Sequence, residues 1–445
     1  MQRMKKQLTN ESAPKPTPCG RVYVWVPDPA SPLGGGVTTS IEPLVRLDTE
    51  GEGRGRLWGE YVRVRNGGEV NEPSPGNGGV DAMRLGDAQP NEEGDFLFEP
   101  ARGGGRLDKV ALAKPALRWR YGQASHFGEV NTYFHLDRIA AYIHGLLREL
   151  RCPPLPRVTA VVNAHHAATE KHGIRDGVRG TRSGRWLPFQ GGHYRLPSWR
   201  YDVNEFQPLS PQGEIHLGPG WQLLRDGMLV EAAGHPYWHN ASHNAAILYH
   251  EYGHHIVRHT ADFRANSLRP PNRQSNRKVP MDEGTCDYWA AAMLGTPHIW
   301  VWHRRHDDQE VHPRSLTSPK TMADYDSSRT ANPHLNGTIW AAALWDLRTR
   351  LDTTQFDGGR QADLLVLRAL LLLGQLTVPL DGKTAKELHR ARASYEVGLA
   401  ALVEADEQLS GGRNREPILA CFRRRGIYPA PLDPFQRAHS VLSRD

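Results

Sequence analysis

The sequence predicts an α+β protein of two lobes, a strand-rich N-terminal half and a helical C-terminal half, with a metal-binding helix at the join. Three observations carry that expectation. Up to about residue 112, short apolar runs alternate with Gly/Pro clusters, the pattern of short strands joined by turns. After about Ser242 the texture changes to long stretches with helical apolar spacing. At the change lies a His-Glu-x-x-His sequence, residues 250–254.

The chain has 445 residues, of which 38% are hydrophobic, a low share that implies cores separated by long loops. Residues 1–18 read as a disordered tail. A strand-rich, Gly/Pro-rich region follows over 19–115, opening with the apolar run Val22–Val26. The N-terminal lobe is expected over 116–265 and begins with a helix at Asn131–Leu150, where Tyr133, Ile139, Tyr142, Ile143, Leu146 and Leu150 recur at helical spacing. Phe134 and His135 pack that helix, and Pro153-Pro154 ends it. Strands are expected at Arg157–Asn163 and Glu214–Leu217. Helices follow near 243–258, 283–294, 337–351, 361–373 and 385–407, the first with Ser242 or Asn240 available as its cap. The last four form a helical C-terminal lobe over 266–445.

Composition excludes several functions. The formal charge is +6, but the arginines are scattered, as on a solvated surface, so no nucleic-acid partner is expected. Cys19, Cys152, Cys286 and Cys421 form no CxxC pair, which argues against a cysteine metal site and leaves two disulfides open. The charged N-terminus has no apolar core behind it, unlike a secretory signal. Leu364–Leu373, the most apolar run, is interrupted by Arg368 and too short to span a bilayer. The sequence as written therefore reads as a cytoplasmic monomer without a membrane span.

The chemistry lies in two segments. On a helix advancing about 100° per residue, His250 and His254 stand one turn apart on one face and can reach one ion. Glu251 is offset and suits a metal-held water better than the metal. A third ligand comes from Met281–Ala290, where Glu283 and Asp287 share a helix face. Glu283 would coordinate one zinc ion, and Asp287 would orient a ligand histidine, His250. Asp282 is adjacent, but four residues on it has Cys286, which cannot orient a histidine as a carboxylate does; only a slight effect is expected from it. His255 adds a competing candidate ligand.

These segments, HEYGHH and DEGTCDYWA, resemble the HEYGH … EGxSD pattern of gluzincins, most closely the fungalysin family. The stretches Gly94–Pro100 and Phe127–His135 resemble segments upstream of the zinc helix in such proteins. His334–Asp346 resembles the family's HxxGxVWAxxLW stretch, and Ala420–Ile427 is similar to its AFxxRGL ending. The resemblance implies a thermolysin-like fold and zinc-dependent hydrolysis of peptide or protein substrates, with a water activated by Glu251 as general base. It also implies that His334 supplies a donor to the oxyanion, with Tyr325 a weaker candidate. Relatives of this kind are mostly secreted, and no inhibitory propeptide is recognisable. Structural calcium stays open.

Substrate is expected in the cleft between the lobes, along an edge strand at Gly213–Gly218 with Ile215 as a contact. Asn204 is a further candidate contact, or a turn residue. The histidines at 165, 166, 172, 303, 306 and 312 read as surface or loop residues. Two other functions fit the same residues: a non-catalytic descendant that binds peptides or partners, and a zinc hydrolase of a non-peptide substrate.

Overall fold

The apolar run Val22–Val26 makes β1 (Cys19–Pro27), which pairs antiparallel with β2 (Gly35–Pro43). Val22 and Tyr23 turn inward onto α1 (Pro115–Glu149), where the Tyr23 and Phe127 rings meet edge to face at 4.8 Å. The computed structural model describes residues 17–28, 30, 35–67, 86–100, 115–169, 182–188, 191–196, 210–218, 221–223, 229–231, 240–270, 273–299, 313–376 and 384–429. The expected tail lies outside these except for residues 17 and 18.

Helix α1 starts sixteen residues before the expected Asn131. Ala124, Phe127 and Val130 continue its buried stripe, but Gly122 and Gly128, poor helix formers, hide the signal in the sequence. Gly128 is needed there, because a side chain would collide with Ser242 Oγ.

A four-stranded sheet backs α1. Its order is β3 (Val62–Asn66), β4 (Val158–Val162), β8 (Glu214–Leu217) and β7 (Gly192–Arg195). The first three are parallel and β7 is antiparallel to β8. Strand β3, from the Gly/Pro-rich region, thus shares a sheet with the lobe beyond residue 115. Two hairpin pairs complete the strands: β5 (His165–Thr169) with β6 (Arg182–Pro188), and β9 (Trp221–Leu223) with β10 (Leu229–Glu231).

The edge strand is not the expected one. Strand β8 lies between β4 and β7, Ile215 is fully buried, and among the described residues the edges are β3 and β7, the latter beside the candidate site. The alternation of Glu214-Ile215-His216-Leu217 suggests one wet face. Instead all four are buried, with His216 Nε2 2.9 Å from Glu214 Oε2 and Arg65 Nη2 3.4 Å from the same oxygen. Mutual pairing lets polar residues enter a core position.

Seven helices follow: α2 (Ala245–His259), α3 (Pro280–Leu294), α4 (Pro333–Thr354), α5 (Gly358–Gln375), α6 (Thr384–Arg392), α7 (Tyr395–Ser410) and α8 (Arg415–Arg424). The cap of α2 is Asn244, whose side chain accepts from Ala246 and Ile247 N–H, a contribution of about 1 kcal/mol. Asn240 and Ser242 instead bond to each other in the short 3-10 turn before it. The single helix expected over 385–407 is two, because Ser394 caps a new start at α7. Helix α8 escaped the periodicity reading: its arginines mask a buried stripe of Ile418, Leu419, Cys421 and Phe422.

Helices α2, α3 and α4 pack at unusually close range through glycine. A Cβ on Gly253 would strike Cys286 of α3, and one on Gly284 would strike the Gly337 carbonyl of α4. Buried Asp363 of α5 accepts from Tyr142 of α1 at 2.6 Å, Tyr288 of α3 at 2.5 Å and Arg348 of α4 at 3.3 Å, tying four helices at one carboxylate. All four cysteines are free thiols. No helix among the described residues is long and apolar enough to cross a membrane.

Candidate metal centre

Helix α2 presents His250 and His254 to the first turn of α3. Glu283 stands between them and is fully buried. His250 Nε2 is 3.1 Å from Glu283 Oε2 and His254 Nε2 is 3.6 Å from the same oxygen. The other ring nitrogens face away, each to its own carboxylate: His250 Nδ1 to Asp287 Oδ1 at 2.8 Å, His254 Nδ1 to Asp282 Oδ1 at 2.9 Å. With Nδ1–H donated outward, both Nε2 lone pairs converge on Glu283, the arrangement that second carboxylates impose on metal-binding histidines. Arg314 fixes Asp287 in turn through two bonds, Nη2–Oδ1 at 2.7 Å and Nε–Oδ2 at 3.1 Å.

These residues fit a zinc ion. Glu283 Oε1 is buried without a hydrogen-bond partner, and so is His334 Nδ1, which lies 2.9 Å from Glu283 Oε2 without hydrogen-bond geometry. An unpartnered carboxylate oxygen such as Glu283 Oε1 is costly in a core unless a cation completes it. Two imidazole nitrogens and a carboxylate oxygen are the donor set of a hydrolytic zinc with an open position. Cys286 also stands within metal-binding range of His250 and His254. Its Sγ, however, is 3.3 Å from His254 Nδ1, the edge already taken by Asp282, and burial pushes its thiol well up. Glu283, facing both Nε2 atoms, is the better third ligand.

Charge holds the cluster in place. Burial opposes ionisation of Glu283, but His254, His250 and His334 outweigh it and hold the carboxyl well below its usual range. Burial would likewise depress His250, yet Asp287 and Glu283 raise it. Asp287 is lowered despite burial, chiefly by Arg314.

Glu251 is one residue from His250 and is buried. It lies against edge strand β7: a side chain on Gly192 would collide with Glu251 and Ile247. His193, Tyr194 and Leu196 of that edge line a cleft with Glu251, His254 and Glu283. On the far side, His334 occupies the first turn of α4, which Asn332 caps. Its Nε2 accepts from Lys278 Nζ at 2.7 Å, which leaves the ring proton on Nδ1. Burial lowers the His334 pKa to about 4. Lys278 Nζ is also 3.5 Å from Glu283 Oε1.

The structure therefore brings His250, His254, Glu283, Asp287, Glu251 and His334 to one place. Others it does not bring there. Tyr325 packs on Tyr395 with ring centroids 6.0 Å apart. Asn204 lies outside the described residues, as do the histidines at 172, 303, 306 and 312, and the side chains of His165 and His166. His255 is no competing ligand: its Nε2 is 2.9 Å from the Pro156 carbonyl and its Nδ1 3.1 Å from Tyr194 Oη.

Sequence reasoning gave Asp282 only a slight role and missed Lys278, Arg314 and the edge glycine. The register argument looked four residues along α3 from Asp282, whereas that carboxylate reaches across to His254 on α2. Arg314 carries no local signal at all. No curated protein matches the chain. A family model described as fungalysin metallopeptidase (M36) matches residues 190–429. That span runs from the edge strand through α2, α3 and the helical lobe to α8, more than half of the sequence, and on this ground the chain belongs to the fungalysin metallopeptidase family.

Proposed function

We propose that this chain is a zinc-dependent endopeptidase in which His250, His254 and Glu283 hold one zinc ion and Glu251 is the general base. Family membership implies zinc-dependent peptide hydrolysis. The observation that supports the finer reading is the convergence of both histidine Nε2 atoms on the buried Glu283 carboxylate, with each Nδ1 tied to a carboxylate behind it. When bound, zinc acidifies a water and polarises the scissile carbonyl.

The chain's own residues do the rest. Among the described residues strand β7 ends its sheet, so a peptide can add along it as a further strand, with Gly192 letting that strand pack directly against Glu251. Glu251 takes a proton from the attacking water and returns it to the leaving amine. His334, neutral with its proton on Nδ1, donates to the oxyanion of the tetrahedral intermediate. Asp287 and Asp282 keep the ligand rings in register. Retention of Glu251, which binds no metal in this scheme, favours catalysis over a peptide-binding descendant. The test is metal analysis of the purified chain beside digestion of a peptide library with and without chelator. One zinc per chain with chelator-sensitive cleavage of peptides is expected. Stoichiometric zinc without cleavage of any peptide would overturn the reading in favour of a binding protein or a non-peptide hydrolase.

A further inference from the structure

The cleft beside the zinc ligands has an unusual wall. Between α2 and α3, residues 262–278 carry five cations, Arg264, Arg269, Arg273, Arg277 and Lys278, against one carboxylate, Asp262. That carboxylate is spent within the segment: Asn266 N, Ser267 N and Ser267 Oγ donate to it at 2.9, 2.8 and 2.6 Å, and Arg258 pairs with it at 3.5 Å. Asp282, the next acid along the chain, is engaged with His254. Arg264, Arg277 and Lys278 line the same cleft as Glu251, His254 and Glu283.

Arg264 is partly buried and braces the wall, donating Nε to the Arg277 carbonyl and Nη2 to the Lys278 carbonyl, both at 2.9 Å. It spends these donors on neutral groups, and burial with the neighbouring Arg277 lowers its pKa to about 10 although Asp282 opposes the shift. Arg277 is exposed, and its side chain makes no ion pair among the described residues. A scattered basic surface keeps its charges apart in water. The same cleft holds Glu251, Asp262, Asp282 and Glu283, but Arg264 and Arg277 stand close enough to repel one another along this wall, a cost that an anionic ligand relieves.

We propose that this wall makes the enzyme selective for peptides with an acidic side chain in the subsite beside His254, with Arg277 its principal contact. The inference rests on the peptidase reading above and specifies its substrate. Because the carboxylate would sit near several cations in a partly desolvated cleft, discrimination exceeds that of one exposed ion pair. About tenfold in kcat/KM for Glu over Gln is expected at low salt, narrowing as screening increases.

The test uses the full chain loaded with zinc. A mixed peptide library is digested and the cut sites read by mass spectrometry. Two peptides differing only in Glu or Gln at the enriched position then give kcat/KM for wild type and for Arg277→Glu. The expected results are enrichment of Asp and Glu at one position near the cut, a Glu/Gln ratio that falls between low salt and about 0.5 M NaCl, and a ratio at or below one in Arg277→Glu, with zinc content and melting temperature held as controls. Equal cleavage of the two peptides by wild type, or an Arg277→Glu ratio matching wild type, overturns the inference and leaves peptidase action standing. Absence of cleavage of either peptide overturns the peptidase reading and this inference with it.

Discussion

Two regions of this molecule enclose histidines and give them opposite kinds of partner. Under β1, His135 sits between Tyr249 Oη and the Tyr23 carbonyl at 2.8 Å each, and His243 packs on Phe127 with ring centroids 5.0 Å apart. Burial lowers both to about 3, so they are neutral members of a core. Between α2 and α3, His250 is buried and His254 half-buried, yet both pKa values are raised, His250 by Asp287 and Glu283 and His254 by Cys286, Asp282 and Glu283, which outweigh burial. What separates a core histidine from a candidate ligand here is therefore chiefly the partner. Neutral carbonyls and hydroxyls immobilise a ring; a carboxylate on one nitrogen prepares the other for a cation.

The comparison can be broken at its chemical end first. Glu251→Gln should retain zinc and lose about 10²- to 10⁴-fold in kcat, read by metal analysis and steady-state kinetics on one sample. Full activity per zinc would show that the carboxylate beside the ligands does no proton transfer. His334→Ala comes next, with about 10²- to 10³-fold in kcat, zinc content unchanged and KM little altered. If zinc is lost along with activity, His334 belongs among the ligands.

The distinction between partners is sharpened at Asp282. Because it holds His254 as Asp287 holds His250, Asp282→Ala should weaken zinc binding by about 10- to 100-fold, comparable to Asp287→Ala. Cys286→Ala, by contrast, should leave the zinc titration almost unmoved. A larger loss from the cysteine change than from Asp282→Ala would make sulfur the ligand.

The smallest effect lies in the other region. A histidine whose folded pKa is depressed gives stability above its unfolded value of 6.5, and that stability is lost as pH falls toward the folded value near 3. Stability to urea should therefore decline from about pH 6.5 downward. In His243→Asn, measured with chelator present throughout, the decline should be shallower. Identical slopes in the two proteins would mean that His243 titrates normally in the fold.

The candidate site was more legible in the sequence than the contacts that frame it. His250, Glu251 and His254 announce themselves because a helix forces neighbours at one-turn spacing onto one face, and Glu283 with Asp287 follows the same rule. Contacts between elements obey no such rule. Asp282 reaches across to α2, Arg314 comes from a loop beyond α3, and Lys278 reaches a histidine 56 residues away. Strand β8 misled for a related reason: its alternation reports polarity, while burial there depends on Glu214 pairing with His216 and Arg65. The two-helix break at Ser394 left a cap residue in plain view, but an unbroken apolar pattern across it concealed the stop.

The glycines at the α3–α4 crossing have a consequence for how the protein can vary. Gly284 follows Glu283 by one residue, and Gly337 follows His334 by three, so the backbone contact between them is also the ruler that sets the gap between those two side chains. An alanine at either position would have to be accommodated by sliding one helix on the other, and the slide would reach Glu283 and His334 before it reached solvent. Neither glycine touches substrate in the proposed scheme. Selection on catalysis would nonetheless be felt there as a demand for the smallest side chain, and an inventor of faster variants should look for change elsewhere.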